Sequence, residues 1–267
     1  MTGPLRVGVL GWGAIGRTVG GQIAAASRDG DHTLELTAVA SRFSRGQAHE
    51  LAVDPAEIGK HCDVVVEAAG PDAVRRHGEA CLRDGADLLV VSLGALMDDS
   101  LRRRLVDAGP GRILLCTGAI GGLDLLAAAR MYGPVSRITL ETTKPSAALE
   151  REWMSEELLH ALRTSGEAVE CFRGTVAEAV DLFPESLNVS AALAIASGDP
   201  AAVEVAVIGS PTAACNTHDI TIEAASGSYR FSLANRPDPD NPRTSHITAW
   251  AVLRALRNRA GAQAVFV

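Results

Sequence analysis

Short apolar runs and amphipathic stretches alternate through the first half of the chain. The runs at 5–10, 34–40, 63–67, 87–91 and 112–116 are nearly continuous in Val, Leu, Ile and Ala. That is how strands read when both faces are covered and the pairing is parallel. Between them, residues 14–26, 46–51, 72–83 and 98–108 carry apolar side chains at helical spacing. Parallel neighbours need a crossover, and the crossover is right-handed, so this alternation predicts a doubly wound parallel sheet.

Past Gly121 the rhythm changes. Helical stretches at 123–131, 153–163, 175–182 and 188–197 precede strand-like runs at 203–208, 219–225 and 229–234, with 138–143 as a fourth strand. Gly227-Ser228 reads as a tight hairpin turn. This order predicts a second, α+β domain built on a small sheet. Strand 203–208 carries apolar residues towards both faces, and a sheet with helices on one side leaves the other needing cover. After the Pro-rich segment 236–243, a last helix over 244–259 is expected to return to the first domain. The organisation read from the chain is 1–120 completed by 241–267, with 121–240 as the second domain for substrate and dimerisation.

Gly11-Trp12-Gly13-Ala14-Ile15-Gly16 stands between the first strand and the first helix. In that setting Gly11 permits the tight turn and Gly13 lets backbone approach a pyrophosphate. Gly16 lets the helix pack closely on the strand, while the amides of Ala14 and Ile15 begin an anion-attracting helix N-terminus. Strand before and helix after make this a Rossmann-type fingerprint rather than a chance glycine turn. The acidic residue that usually ends the second strand is missing, and Ser41-Arg42 occupies its place. An Arg there can meet a 2′-phosphate, so the cofactor is read as NAD or NADP.

Composition narrows the partners. A net charge of −7 and only 4% aromatic residues argue against nucleic acid, which needs clustered cations and stacking platforms. No charge-free apolar run reaches the roughly 18 residues of a membrane span. Five scattered cysteines without a CxxC pair fit reduced thiols better than disulfides or a zinc site. The expectation is a soluble cytoplasmic protein with a small-molecule substrate and no metal. Cys116 ends an apolar strand, but nothing near it in sequence would activate it, so it is read as a buried small hydrophobe.

Several segments taken in order resemble the L-aspartate dehydrogenase family. They are Glu67-Ala68-Ala69-Gly70, Val91–Leu96, Thr117–Asp124, Thr143-Lys144-Pro145, Phe183–Ala191, Asn216–Ile220 and Asn241–Ser245. The resemblance runs nearly end to end. It implies a Rossmann domain plus an α+β domain, usually dimeric, and oxidation of L-aspartate to iminosuccinate, which feeds NAD biosynthesis or hydrolyses to oxaloacetate. It also implies His218 as the catalytic acid/base, with Ala119 and Asn188 touching the cofactor near its nicotinamide end. Ala69 and Gly70 join Gly11, Gly13, Ala14, Ile15, Gly16, Ser41 and Arg42 as the remaining cofactor contacts.

The chemistry suits these residue types. Hydride leaves Cα only as the nitrogen lone pair pushes in, so the substrate ammonium must first lose its proton. A histidine, with a reference pKa of about 6.5, can take it. A dicarboxylate also needs cationic or amide donors, for which Lys144 and Arg243 are the candidates, with Asn188 and Thr244 beside them in motif terms. Two alternatives stay open from sequence: another NAD(P)-dependent reductase of aspartate-derived metabolites, or a non-catalytic NAD(P)-binding sensor.

Overall fold

The computed structural model describes residues 3–41, 50–183, 188–241 and 244–261. They form two compact units, one of residues 1–118 with 248–267 and the other of 119–247.

In the first unit, β1 (Leu5–Leu10), α1 (Ala14–Arg28), β2 (Leu34–Ala40), β3 (Val64–Glu67), α2 (Pro71–Arg83), β4 (Asp87–Val90), α3 (Asp99–Asp107) and β5 (Ile113–Leu115) follow in sequence. The sheet is parallel throughout, in the order β2-β1-β3-β4-β5. A single parallel bridge, Val39 to Ala52, lies beyond β2, with Val39 N–H donating to Leu51 O at 2.8 Å and Val53 N–H to Val39 O at 3.0 Å. Counted as a one-residue strand, it turns the order into the 3-2-1-4-5-6 of a Rossmann sheet. The helix predicted over 46–51 falls mostly outside the described residues; of its last two, Glu50 is helical and Leu51 stands in the turn that leads to Ala52.

The core is the expected apolar sandwich. On one face of the sheet, Leu5, Val7, Val9, Val64, Val66 and Leu89 cluster with Val19 and Ile23 of α1 and with Ala249, Val252, Leu253 and Leu256 of the C-terminal helix Ile247–Arg259. Two ion pairs fasten that helix to the unit: Arg257 to Asp31 at 2.9 Å and Arg259 to the buried Asp87 at 2.8 Å. Cys116 is buried in the same cluster, and burial pushes its thiol up to about 11, so at neutral pH it is an inert thiol.

The second unit runs α4 (Leu123–Tyr132), β6 (Val135–Pro145), α5 (Glu156–Thr164), β7 (Val169–Thr175), α6 (Val176–Leu182), α7 (Asn188–Ser197), β8 (Val203–Ser210), β9 (Asn216–Ala224) and β10 (Gly227–Asn235). Its sheet has the order β10-β9-β6-β8-β7, with β6 and β8 parallel and the other pairs antiparallel. Several expectations are corrected here. The helix read from 153 begins at Glu156, because Ser155 caps it by accepting from Leu158 N–H at 3.2 Å. Trp153 stays outside and packs edge-on to Phe183, 5.4 Å between centroids. Thr175 is a cap rather than a helical residue, in a reciprocal capping box with Glu178. Strand β7 was not foreseen: its register slips between Glu170 and Phe172, which breaks the period-2 pattern. The hairpin turn is Ala225-Ser226, two residues earlier than read, and Gly227 at φ +147 opens β10. Strand β9 starts at Asn216 rather than 219.

Strand β8 carries apolar residues towards both faces, with Val203, Val205 and Val207 on one and Ala206 and Ile208 beside Glu204 on the other. On the uncovered side Glu204 bridges Arg137 and Arg173, each at 2.8 Å, and Arg173 pairs again with Glu170 at 2.6 Å.

Candidate active site

At the C-terminal end of the first parallel sheet, Leu10, Gly11, Trp12, Gly13, Arg17, Ser41, Ala68, Ala69, Asp72 and Arg76 line a cleft of about 870 Å³. The chain must turn sharply off β1 here. Gly11 has φ +105, and a Cβ on it would stand 2.6 Å from Ala68 O, so only glycine serves. A Cβ on Gly16 would collide with Gly11 O, which is the close packing of helix on strand that the fingerprint requires. At Gly13, by contrast, nothing lies within 4 Å of a Cβ position. Gly13 is the N-cap of α1, supplies no capping side chain, and no acidic residue stands in the first turn. The helix N-terminus therefore faces the cleft ready for an anion. The residues present fit a nicotinamide dinucleotide with its pyrophosphate at this turn.

Glu67, at the end of β3, organises the neighbouring loops and was noticed in sequence only as part of a motif. It is fully buried. Its Oε1 accepts from Ala69 N–H at 2.9 Å, Gly70 N–H at 2.8 Å and Ser92 Oγ–H at 3.1 Å, and its Oε2 accepts from Ser92 N–H at 3.0 Å. Burial nevertheless raises its pKa above the ordinary carboxylate value. The carboxylate fixes Ala69 on the wall of the cleft and Gly70 as the N-cap of α2. A charged residue closing an all-valine strand was the available signal.

In the second unit the two central strands turn polar at one end. Buried positions on β6 recur at every second residue from Ile138, and the series Ile138, Leu140, Thr142, Lys144 continues to Ser146 just beyond the strand. On β9 the same face reads Ile222, Ile220, His218, Asn216. The register sets Ile138 against Ile222, Leu140 against Ile220 and Thr142 against His218. Both strands thus exchange apolar for hydrogen-bonding side chains at the same level while remaining buried. Buried polar groups are costly, and a cluster without apolar compensation marks a site.

His218 is 3% exposed, and its Nδ1 lies 3.0 Å from Thr142 Oγ1. Burial first, then the charge of Lys144, lowers its pKa to about 4, so the ring is neutral at physiological pH. Lys144 is also 3% exposed. Burial, with the guanidinium of Arg151 adding like-charge repulsion, lowers its pKa to about 8. Arg151 is held by Ala148 O at 3.2 Å and Glu150 O at 2.8 Å and lies over the Phe183 ring at 5.7 Å.

The structure thus gathers Gly11, Gly13, Ser41 and Ala69 around one cleft, with Ala14, Ile15 and Gly16 opening α1. It places Lys144 and His218 on one face of the second sheet. Ala119 O accepts from Asn235 Nδ2 at 3.0 Å, and Asn235 pairs with Asn216 across β10 and β9, which ties Ala119 to the polar end of that sheet. Asn188 opens α7 and is half-buried. Thr244 is half-buried in a turn where its N–H donates to Asn241 O at 2.9 Å and its carbonyl accepts from Asp238 N–H at 2.8 Å. Arg42 and Arg243 lie outside the described residues. Thr142, Asn216, Ser146 and Arg151 were not singled out from sequence. Strand alternation from Lys144 and His218 would have found the first three, whereas Arg151 arrives by a turn that no local pattern announces.

A Rossmann-type sheet with an open glycine turn, joined to a second sheet that presents a buried histidine and lysine, defines a two-domain NAD(P)-dependent oxidoreductase. Residues 124–259 match the family described as aspartate dehydrogenase, C-terminal, and residues 11–110 match the homoserine dehydrogenase NAD binding domain. An L-aspartate dehydrogenase of Bordetella bronchiseptica is 35% identical over 94% of this chain and 96% of its own. The L-aspartate dehydrogenase of Methanocaldococcus jannaschii is 33% identical over 96% of this chain and 97% of its own. In fold, the crystal structure of aspartate dehydrogenase from Thermotoga maritima superposes with a TM-score of 0.76 at 24% identity, covering 98% of this chain and 99% of that one. The chain belongs to the aspartate dehydrogenase family. The homoserine dehydrogenase family model matches residues 11–110, whereas residues 124–259 match the aspartate dehydrogenase model, so the second unit decides between the two.

Proposed function

We propose that the protein catalyses NAD(P)-dependent oxidative deamination of L-aspartate to iminosuccinate, with His218 as general acid/base. The observation that carries this reading is the paired burial of His218 and Lys144 on one polar sheet end. Gly11, Gly13 and the amides of Ala14 and Ile15 would hold the pyrophosphate. Ser41, Arg42, Ala69 and Gly70 would hold the adjoining ribose, and Ala119 and Asn188 the nicotinamide end. When bound, the nicotinamide accepts the hydride from the substrate Cα.

With Nδ1–H donating to Thr142 Oγ1, the lone pair of His218 stays on Nε2, where it takes the proton from the substrate ammonium. Thr142 thus holds the ring at Nδ1, and in this tautomer Nε2 is the basic nitrogen. The low pKa keeps the base unprotonated before substrate arrives. The substrate carboxylates then offset the positive charge of Lys144 and make the imidazolium less costly as it forms. Lys144, with Arg243, Asn188 and Thr244, supplies donors to those carboxylates. A homodimer belongs to the same proposal, and a monomer in sedimentation at micromolar concentration would remove it.

His218→Ala tests the assignment. Turnover of aspartate should fall by about 10²–10⁴-fold, the usual contribution of general acid–base catalysis, while NADPH still binds. The acidic limb of kcat should vanish or shift. Near-parental turnover would take His218 out of the mechanism.

A further inference from the structure

Among the described residues, Ser146 Oγ has no hydrogen-bond partner and Lys144 has no carboxylate acting on it. Ser146 lies two residues beyond Lys144, in the short 3₁₀ turn Ser146–Ala148 that follows β6. Its hydroxyl is buried and has no hydrogen-bond partner, and the residue is 9% exposed. The backbone of the turn is satisfied within itself, with Leu149 N–H donating to Ser146 O at 3.1 Å, so the hydroxyl serves no local purpose. Lys144, a 3% exposed residue, has no acidic neighbour acting on its charge among the described residues; the charge that does act on it is another cation, Arg151. Buried polar groups in native proteins are almost always paired, and an unpaired one is destabilising. What this corner lacks is an acceptor carrying negative charge and more than one lone pair.

We propose that Lys144 and Ser146 together form the subsite for the side-chain carboxylate of the substrate, the contact that selects a dicarboxylic amino acid. The assignment rests on the reading of the site as an amino-acid dehydrogenase with its reacting nitrogen at His218. Along β6 the order is Thr142, which faces His218, then Lys144, then Ser146. Each step of two residues advances about 6.6–6.8 Å along a strand. The carboxylate farther from the reacting nitrogen therefore falls to the farther donors. Arg151 adds to the positive field without being required as a direct ligand.

Ser146→Ala removes a hydroxyl that makes no bond in the free protein, so its melting temperature should not fall. Binding of succinate and butyrate, measured calorimetrically with oxidised cofactor present, isolates the subsite, because butyrate carries a methyl where succinate carries its second carboxylate. The parent should prefer succinate. The variant should lose roughly ten- to hundred-fold in succinate affinity, the worth of a hydrogen bond to a charged group, and keep its butyrate affinity. The same loss should separate kcat/KM on L-aspartate from that on L-2-aminobutyrate. Parental succinate binding in Ser146→Ala, as when only a water sits at the hydroxyl, overturns the proposal. So does an equal loss for both ligands with a lowered melting temperature, which marks a structural role. If the parent fails to oxidise aspartate yet Ser146→Ala still abolishes the succinate preference, the reaction is wrong and the carboxylate subsite stands.

Discussion

Replacing Lys144 by Met should make the protein more stable at neutral pH and unable to recognise its substrate. Lys144 carries its charge into a position that is 3% exposed, where its pKa falls from 10.5 to about 8. At 1.36 kcal/mol per pH unit, that fall corresponds to about 3 kcal/mol of preference for the neutral amine. At pH 7 the ammonium is protonated in both the folded and unfolded chain, so the folded state bears the whole cost. Above pH 8 the folded amine loses its proton while the unfolded one keeps it up to 10.5. Stability should therefore rise across that window, and the cost should be gone beyond it. Methionine has nearly the same length and no charge. At pH 7 the variant should gain about 3 kcal/mol, or roughly 6–12 °C in melting temperature at 2–4 °C per kcal/mol. Calorimetric melting at several pH values checks both size and sign, since the advantage should shrink between pH 8 and 10.5. Succinate should raise the melting temperature of the parent and leave the variant unmoved. A variant that melts at or below the parent at pH 7, or whose advantage ignores pH, would refute the claim that Lys144 is held against its own solvation.

Two further substitutions probe the first unit. Gly13→Val meets open space, with nothing within 4 Å of its Cβ, so stability should stay within roughly 0.5 kcal/mol while NADPH titration by fluorescence shows binding lost; undiminished binding would contradict the pyrophosphate site. Glu67→Ala strips the acceptor from the amides of Ala69, Gly70 and Ser92, and at about 1–3 kcal/mol each should cost at least about 3 kcal/mol in denaturant unfolding. A loss under about 1 kcal/mol would mean that water replaces the carboxylate.

What the sequence revealed and what it hid divide along the range of the interactions. The glycine turn was legible because its demands are local: a left-handed φ at Gly11, a collision relieved at Gly16, and a strand and helix on either side. The alternating apolar runs of the first sheet were legible for the same reason, since burial on both faces writes itself into each strand separately. In the second unit, the bulge in β7 was lost, because its register is set by β8, where Glu170 meets Ile208 and Phe172 meets Val207. The site shows the division most sharply. His218 and Lys144 entered as matches to a family pattern, and no local signal in the chain made them neighbours. The pairing of β6 with β9 does that by setting Thr142 opposite His218. It also explains why Thr142 and Ser146 passed unnoticed: a threonine and a serine in a strand-and-turn segment are unremarkable until alternation shows them buried. A sheet whose core face changes from Ile and Leu to Thr, Lys, His and Asn sacrifices stability at that end, and local rules fail where function demands it. Read this way, the failure is informative. Ser146, whose hydroxyl has no partner among the described residues, and the buried Lys144 describe by their chemistry the anion that should meet them.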